Sequence, residues 1–547
     1  MNAQLAETVI EPEPELRPLR RWLADVLVQA LIAYVPGSQL GAVEASEHGF
    51  HADFALPRPL HPEDLPEIQQ RMRECIASGT VAPVQPVAFE LRSIGGAYLQ
   101  GDADQAMLTR LSVWAYPAQA QLIAAREQYE RAALRDHKKL GRELELFTFD
   151  DDIGAGLPLW LPNGTAIRDE LEGLMRGLEF AAGFERVATP HLAQKRLYER
   201  TGHLPYFADG MFPLMQRAGA GENSPIFALR PMNCPHHHAI FAARKRSYRE
   251  LPFRISEYGH VYRYEDSGAV SGLLRTRCMC MNDGHIYCAR EQVRAELHAV
   301  LDMHARVYEI LGLSDYRIRL STHGASLAND KFVDDPQGWA ESEAILRSVL
   351  EERKLAFFEG PGEAAFYGPK IDFQFRMVTG REETASTLQL DFAIAKRLDL
   401  SYVGPNGEAE RPFILHRAPL GTHERFVALL IERFAGAFPT WLAPVQARVL
   451  PVSDQFEPYA REVQASLRAQ RVRAQLDPAD DSLGKRVRRA AVEKVPNVIV
   501  VGERERADRS VALRRYGVAG QTTLPLSAAC ERIVQAIAAR TLDVVVI

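Results

Sequence analysis

The chain has 547 residues, 25% of them charged and 46% hydrophobic, with six cysteines and a formal net charge of -6. That length suffices for about three domains with large cores, and the composition is that of an ordinary globular protein. So few cysteines argue against a disulfide framework, and the mildly acidic balance means that any nucleic-acid partner needs local basic patches.

In chain order, residues 1–19 are rich in Glu and Pro and read as a flexible leader without the basic-then-apolar pattern of a secretory signal. The apolar stretch Leu23–Val35 contains Asp25 and Gln29 and is too short to cross a bilayer, so a soluble cytoplasmic protein is expected. Residues 20–82 suggest a small α+β unit, with an apolar helix, short strands near Gly49–Leu56 and a helix over Pro62–Ala77, within an N-terminal domain expected over 20–116. Just beyond that helix, Gly79, Pro83 and Pro86 mark a boundary or surface loop. Residues 117–143 are charged and read as one connecting helix. The largest domain is expected over 144–440, where Ile167, Leu171, Leu174, Met175 and Leu178 recur at helical spacing before a break at Gly183. Strand-like runs follow at Phe253–Glu257, Gly259–Glu265, Leu274–Met281, Lys370–Met377 and Thr387–Ala393. Neighbouring strands without intervening helices favour an antiparallel sheet flanked by helices. Pro439–Pro444 reads as a linker to a C-terminal α/β domain over 445–547. There, strands Ala447–Pro451 and Asn497–Val501 alternate with helices at Glu457–Gln470, Leu483–Val495 and Ala528–Thr541, which predicts a mostly parallel sheet. The fold class is therefore α+β.

Three separated residues carry the chemistry. Cys234 stands in Arg-Pro-Met-Asn-Cys-Pro, His285 in Asn-Asp-Gly-His-Ile-Tyr-Cys, and His416 in Leu-His-Arg-Ala-Pro-Leu-Gly-Thr-His-Glu-Arg. One thiolate and two imidazoles make a three-ligand zinc set with an open fourth position. A lone Cys or His is usually structural; the case rests on all three standing beside residues suited to a nucleotide. A rival set exists in Cys278, Cys280, His285 and Cys288, although Cys278 and Cys280 share one face of the expected strand and Met279 the other. Arg263 and Glu265 are expected on one strand face, with Arg277 on the next strand and Arg425 in a helix-opening Gly-Thr-His-Glu-Arg. Guanidinium groups fork onto phosphates and a carboxylate such as Glu265 can read an adenine amine, although any single pair also fits a surface salt bridge.

These stretches resemble the threonyl-tRNA synthetases, class II aminoacyl-tRNA ligases. The resemblance runs through Leu-Tyr-Glu-Arg-Thr-Gly-His (197–203), Pro-Met-Asn-Cys-Pro (231–235), Arg-Ser-Tyr-Arg-Glu-Leu-Pro-Phe-Arg (246–254) and Arg-Tyr-Glu-Asp-Ser-Gly-Ala (263–269). It continues through Phe-Tyr-Gly-Pro-Lys-Ile-Asp-Phe (366–373), Gln-Leu-Asp-Phe (389–392) and Phe-Pro-Thr-Trp-Leu-Ala-Pro-Val-Gln (438–446). It is strong over 120–547 and weak over 20–115. It implies a class II antiparallel sheet, a C-terminal anticodon-binding domain and a degenerate N-terminal editing-like unit. It also implies zinc on Cys234, His285 and His416, with ATP and Mg2+ as further requirements. Threonine would complete the metal shell, beside Asp283, Tyr367, Met232, Met281 and Thr387. Arg263, Arg277 and Arg425 would hold phosphates and the substrate carboxylate, and Glu265, Met279 and Gln389 the rest of the nucleotide. His203 would approach the terminal adenosine of tRNA, and Lys370 would act at the acyl-adenylate. Asp480, Glu505 and Arg514 would meet the anticodon of a threonine tRNA, and the protein would be a homodimer.

The sequence also departs from the family. The usual small N-terminal β-rich domain has no counterpart, the family's His-x-x-x-His falls on Arg21 and Asp25, and the segment with its Cys-x-x-x-His is missing between about Val84 and Leu91. No editing in cis is expected. Cys278-Met279-Cys280-Met281-Asn282-Asp283-Gly284 replaces the usual Gly-Phe-Thr-Gln-Asp-Asp-Ala, and Thr384-Ala385-Ser386 replaces Gln-Cys-Gly. Asp480 stands where Asn is usual. These changes cluster around the substrate and suggest a specialised or inhibitor-resistant second copy. A basic helix with Arg486, Arg488, Arg489 and Lys494 fits either phosphates or a solvated face. Two rivals remain: a ligase that loads a β-hydroxy amino acid onto a carrier protein, and a non-catalytic tRNA-binding regulator.

Overall fold

A computed structural model describes residues 16–46, 48–78, 87–98, 107–219, 221, 224–324 and 332–543. The chain divides into two compact units, Met1–Ala133 and Leu134–Ile547. In the first, helix Arg17–Tyr34 presents Leu19, Leu23, Val26, Leu27, Ala30 and Leu31 at helical spacing, and all are buried. They cover a four-stranded sheet in the order 39–46, 49–55, 107–116, 88–98, every pair antiparallel. Residues 17–19 of the expected leader are helical; residues 1–15 of it, and the loop expected at Gly79, Pro83 and Pro86, lie outside the described residues. Arg21 and Asp25 are exposed on the outer face of that first helix.

The helix expected over 117–143 is two helices, Gln119–Arg135 and His137–Glu143. Asp136 interrupts it: its carboxylate accepts from the Lys138 and Lys139 N–H groups at 2.8 and 3.0 Å and so starts a fresh N-terminus.

The second unit is built on an eight-stranded sheet. Its order is Phe357–Pro361, Tyr316–Thr322, Lys370–Arg376, Glu382–Asp391, Phe413–Ala418, Cys278–Cys288, Phe253–Tyr262 and Glu185–Arg186. Only the two outermost pairs are parallel; the five between them are antiparallel. Helices Pro162–Ala181, Val293–Leu311, Pro336–Glu352 and His423–Phe434 pack on it, and Leu171, Ile286, Leu297, Leu346, Leu388 and Leu430 share one buried cluster. The two strand runs expected at 253–257 and 259–265 are one strand, Phe253–Tyr262, so Arg263 and Glu265 lie beyond its end and not on its face. Gly259 does not break it. A Cβ there would collide with the Asn233 side chain, so the glycine lets the residue before Cys234 approach the sheet.

The expected linker Pro439–Pro444 is core. Trp441 and Leu442 are fully buried among the sheet's helices, because an apolar Trp-Leu-Ala run gains more from burial than from solvent. Beyond it, strands 474–476, 447–451, 497–501, 510–515 and 522–525 form a five-stranded sheet in that order. Its first two pairs are parallel and its last two antiparallel, which corrects the expectation of a mostly parallel sheet. Strand Ser510–Arg515 returns to Thr522–Pro525 through Gly517 and Gly520 at φ +73° and +86°, and such a short return permits only antiparallel pairing. Helices Glu457–Ala469, Leu483–Val492 and Leu526–Ala538 lie within three residues of expectation.

Candidate active site

Cys234 is the first residue of helix Cys234–Ala242, while His285 and His416 sit directly opposite each other on adjacent strands. That register brings His285 Nε2 to 2.9 Å from His416 Nδ1, with Cys234 Sγ 3.4 Å from the same nitrogen. One ligand atom from each of the three lies within 4.8 Å of the others, and all three residues are buried. Each imidazole is held from behind. His416 Nε2 meets Asp391 Oδ2 at 3.0 Å; His285 Nδ1 meets His237 Nδ1 at 2.7 Å, and His237 Nε2 meets Glu257 Oε2 at 3.0 Å. Burial works to raise the Glu257 carboxyl, but bonds from His237 and the Thr189 N–H, with the charge of Arg230, outweigh it and hold it at about 2. Burial, then the neighbouring His416, drives His285 well below the ordinary histidine value, leaving a neutral imidazole. Burial, then the carboxylates of Asp283 and Asp391, pushes the Cys234 thiol up. A borderline-soft cation suits this donor set: two imidazoles oriented by carboxylates directly or through a relay, one thiol, and an open side. A further grouping, His238, Asp391 and His416, shares His416.

The open side is a cavity of about 420 Å³. Twelve sequence-predicted residues line it: Met232, Cys234, Arg263, Met279, Met281, Asp283, Tyr367, Lys370, Thr387, Gln389, His416 and Arg425. Tyr367 stacks on His416 with ring centroids 4.8 Å apart and donates its hydroxyl to Gln389 Oε1 at 2.7 Å. Asp283 Oδ2 accepts from Asn233 Nδ2 at 3.1 Å. Thr422 caps helix His423–Phe434 by accepting from the Arg425 N–H, and the Arg425 guanidinium donates to the Thr384 carbonyl at 2.8 Å. Burial lowers both Arg263 and Arg425, and the charge of Arg425 lowers Arg263 further, so an anion in the cavity relieves both.

The remaining predicted residues stand elsewhere. His285 lies behind the lining. Arg277 donates to the Glu265 carbonyl at 2.7 Å and to Ser267 Oγ at 3.2 Å, while the Glu265 carboxylate accepts from Arg275 at 2.8 Å. His203 is buried, its Nδ1 2.9 Å from Thr201 Oγ1 and its Nε2 3.3 Å from Met232 Sδ; burial, then His416 and Arg263, pushes it down to about 3. In the C-terminal domain Asp480 and Arg514 are exposed, and Glu505 accepts from the Gly502 N–H at 2.9 Å. Arg486 does not belong to a phosphate-facing surface. It is fully buried and donates to the carbonyls of Asp481, Asp477 and Pro451 at 3.0, 3.2 and 2.7 Å.

Sequence reasoning missed Asp372, Asp391, His237 and Glu257. Asp372 lines the cavity and is buried, 3.2 Å from Lys370 Nζ and 3.0 Å from the Arg319 guanidinium. It also accepts from Ser321 and Thr387 at 2.8 and 2.9 Å. The Lys-x-Asp spacing, two apart on one strand face, was the available signal.

The description "tRNA synthetase class II core domain (G, H, P, S and T)" matches residues 220–434, and "Anticodon binding domain" matches 446–536. The threonine--tRNA ligase of Thermus thermophilus is 40% identical, over 95% of this chain and 89% of that protein. The chain belongs to the threonine--tRNA ligase family. A second family member, from Rubrobacter xylanophilus, is 39% identical over 98% of this chain and 91% of its own. A crystal structure of the RNA binding domain of threonyl-tRNA synthetase from Cryptosporidium parvum superimposes with a TM-score of 0.69 at 32% identity, covering 73% of this chain and 98% of that one. A class II aminoacyl-tRNA ligase is therefore favoured over carrier-protein loading or a non-catalytic role. Among the described residues no helix is long and apolar enough to cross a membrane.

Proposed function

We propose that this chain selects threonine with zinc, activates it with ATP and Mg2+, and transfers it to the 3' end of threonine tRNA. The observation that carries the reading is the buried Cys234–His285–His416 set opening onto the same cavity as Arg263 and Arg425. Zinc bound there would offer a Lewis-acidic position for the amine and hydroxyl of threonine. A site that must bond a hydroxyl rejects valine by roughly 10⁴–10⁵, whereas serine differs by one methyl group worth only about 1–3 kcal/mol. Asp283, fixed by Asn233, accepts from the substrate hydroxyl, and Tyr367 closes the pocket above His416. Arg263 and Arg425 then hold the anionic groups while a threonine carboxylate oxygen attacks the α-phosphorus and its bond to pyrophosphate breaks. This is catalysis by positioning and charge stabilisation. Lys370, anchored by Asp372, stands at the developing charge. A terminal ribose hydroxyl of tRNA then attacks the acyl carbon and AMP leaves, with His203 on that approach.

On this reading 144–440 is the catalytic domain, 445–547 binds the anticodon through Asp480, Glu505 and Arg514, and 20–116 is a degenerate editing-like unit joined by 117–143. Arg21 and Asp25 on an exposed helix face support the absence of editing in cis. We further propose a cytoplasmic homodimer. Met279, Met281 and Ser386 on the cavity wall support a specialised or inhibitor-resistant role. The test is aminoacylation of threonine and serine tRNAs with threonine, serine and valine, with and without chelator. Threonine tRNA charged with threonine, and lost on chelation, is expected; no charging of any tRNA refutes the proposal.

A further inference from the structure

Behind the strand Cys278–Cys288, on the face away from the cavity, lies a second group of donors that the reaction above does not use. Met279 and Met281 line the cavity, so strand alternation sends Cys280 the opposite way, toward helices Pro162–Ala181 and His423–Phe434. An isolated bridge between Met281 and Thr422, with the Asn282 N–H donating to the Gly421 carbonyl at 3.0 Å, pins the start of the second helix to the strand. Glu172, Cys280 and His423 consequently hold ligand atoms within 4.8 Å of one another. Cys280 is 1% exposed and His423 0%. Neither ring nitrogen of His423 has a partner in good hydrogen-bond geometry, although the Cys280 backbone lies near enough to act on the ring, and Nε2 lies 3.9 Å from Glu172 Oε1. A sealed imidazole without a well-formed hydrogen bond is uncommon, because burial strips its water without fully replacing it.

The surroundings accommodate a cation. Arg176 holds Glu172 Oε2 at 2.7 Å, which leaves Oε1 as the oxygen nearer His423. Glu424 adds a second buried carboxylate, fixed by the Cys280 N–H at 2.9 Å and by Trp160 Nε1 at 3.4 Å. Arg168 faces the same group; burial, then the charge of Glu424, pushes the Cys280 thiol up, and Arg168 offsets part of that rise. His260 also acts on His423 from the neighbouring strand. Glu172 is only partly buried, so an ion has an entry path.

We propose that Glu172, Cys280 and His423 form a second divalent-metal site, distinct from Cys234, His285 and His416. Sulfur, imidazole and carboxylate together select zinc over hard cations, and bonds of about 2.0–2.3 Å need these ligands to close in by only about 1 Å. The site ties together three elements: the helix Pro162–Ala181, the strand bearing Met279 and Met281, and the helix bearing Arg425.

The test loads the full chain with zinc, removes free metal by gel filtration and measures zinc per chain. Two equivalents are expected in the wild type, one in Cys234→Ser, Cys280→Ser, His423→Asn or Glu172→Gln, and none in the Cys234→Ser/Cys280→Ser double variant. One equivalent in the wild type, or two in Cys280→Ser and Glu172→Gln, overturns the proposal. Cobalt-loaded Cys234→Ser gives an answer that does not depend on folding of the second-site variants: a thiolate-to-cobalt charge-transfer band is expected, and its absence overturns the site. Loss of zinc in Cys280→Ser alone leaves the first site's standing unaffected, so failures of the two sites are distinguishable.

Discussion

Replacing Asp391 with Asn perturbs one proton and almost no volume. Asp391 is buried, and its Oδ1 accepts from the N–H groups of Ala393 and Ile394, both at 2.9 Å, while Oδ2 faces His416 Nε2 at 3.0 Å. In the Asn variant the two backbone N–H groups keep the side-chain oxygen, so the amide NH₂ is left to face Nε2. That nitrogen must then accept, and the imidazole proton moves to Nδ1, the atom that looks at Cys234 and His285. The lone pair needed for a metal is lost from the right side. Changes in such outer partners of a ligating histidine cost about 10–100-fold in metal affinity, which is about 1.4–2.7 kcal/mol. The assay is competition for zinc against a chelator of known affinity, with circular dichroism confirming the fold. Zinc affinity within twofold of wild type would refute both the tautomer argument and the assignment of His416 as a ligand.

Asp372→Asn weakens the anchor of Lys370 and Arg319; a fall on the order of 10²-fold in kcat for ATP–pyrophosphate exchange is expected, with the KM for ATP much less affected. Equal changes in kcat and KM would count against a positioning role. Burial holds His304 at about 4 against an ordinary 6.5, so the unfolded chain binds the proton first as pH falls. Stability is therefore full above pH 6.5 and declines toward pH 4 by about 1.4 kcal/mol per unit from this residue; melting temperature against pH should fall less steeply in His304→Leu than in the wild type. Arg486→Ala removes three buried bonds to carbonyls and should destabilise by on the order of 3 kcal/mol, read as a lower denaturation midpoint. Exposed Arg488→Ala should leave that midpoint unchanged.

Much of the site was legible because its residue types are unusual and their wording is long: a thiol, two histidines and separated arginines in distinctive settings are readable without coordinates. Their partners were less so. Asp391, His237 and Glu257 are ordinary residues placed behind His416 and His285 by the fold, and no spacing along the chain reveals that. Cys278 and Cys280 illustrate the limit well: alternation separated them from Met279, but which face looked into the cavity depended on what packed on either side.

The order of residues by itself determined where apolar runs form helices and strands, and which donors the chain carries, since both follow from local periodicity and side-chain chemistry. Tertiary structure decided the strand register that sets His285 opposite His416. It also buried the apparent linker at Trp441 and turned Arg486 inward. These outcomes depend on contacts between residues far apart in sequence, where burial of apolar surface and satisfaction of polar groups are decided jointly, and no local pattern encodes that balance.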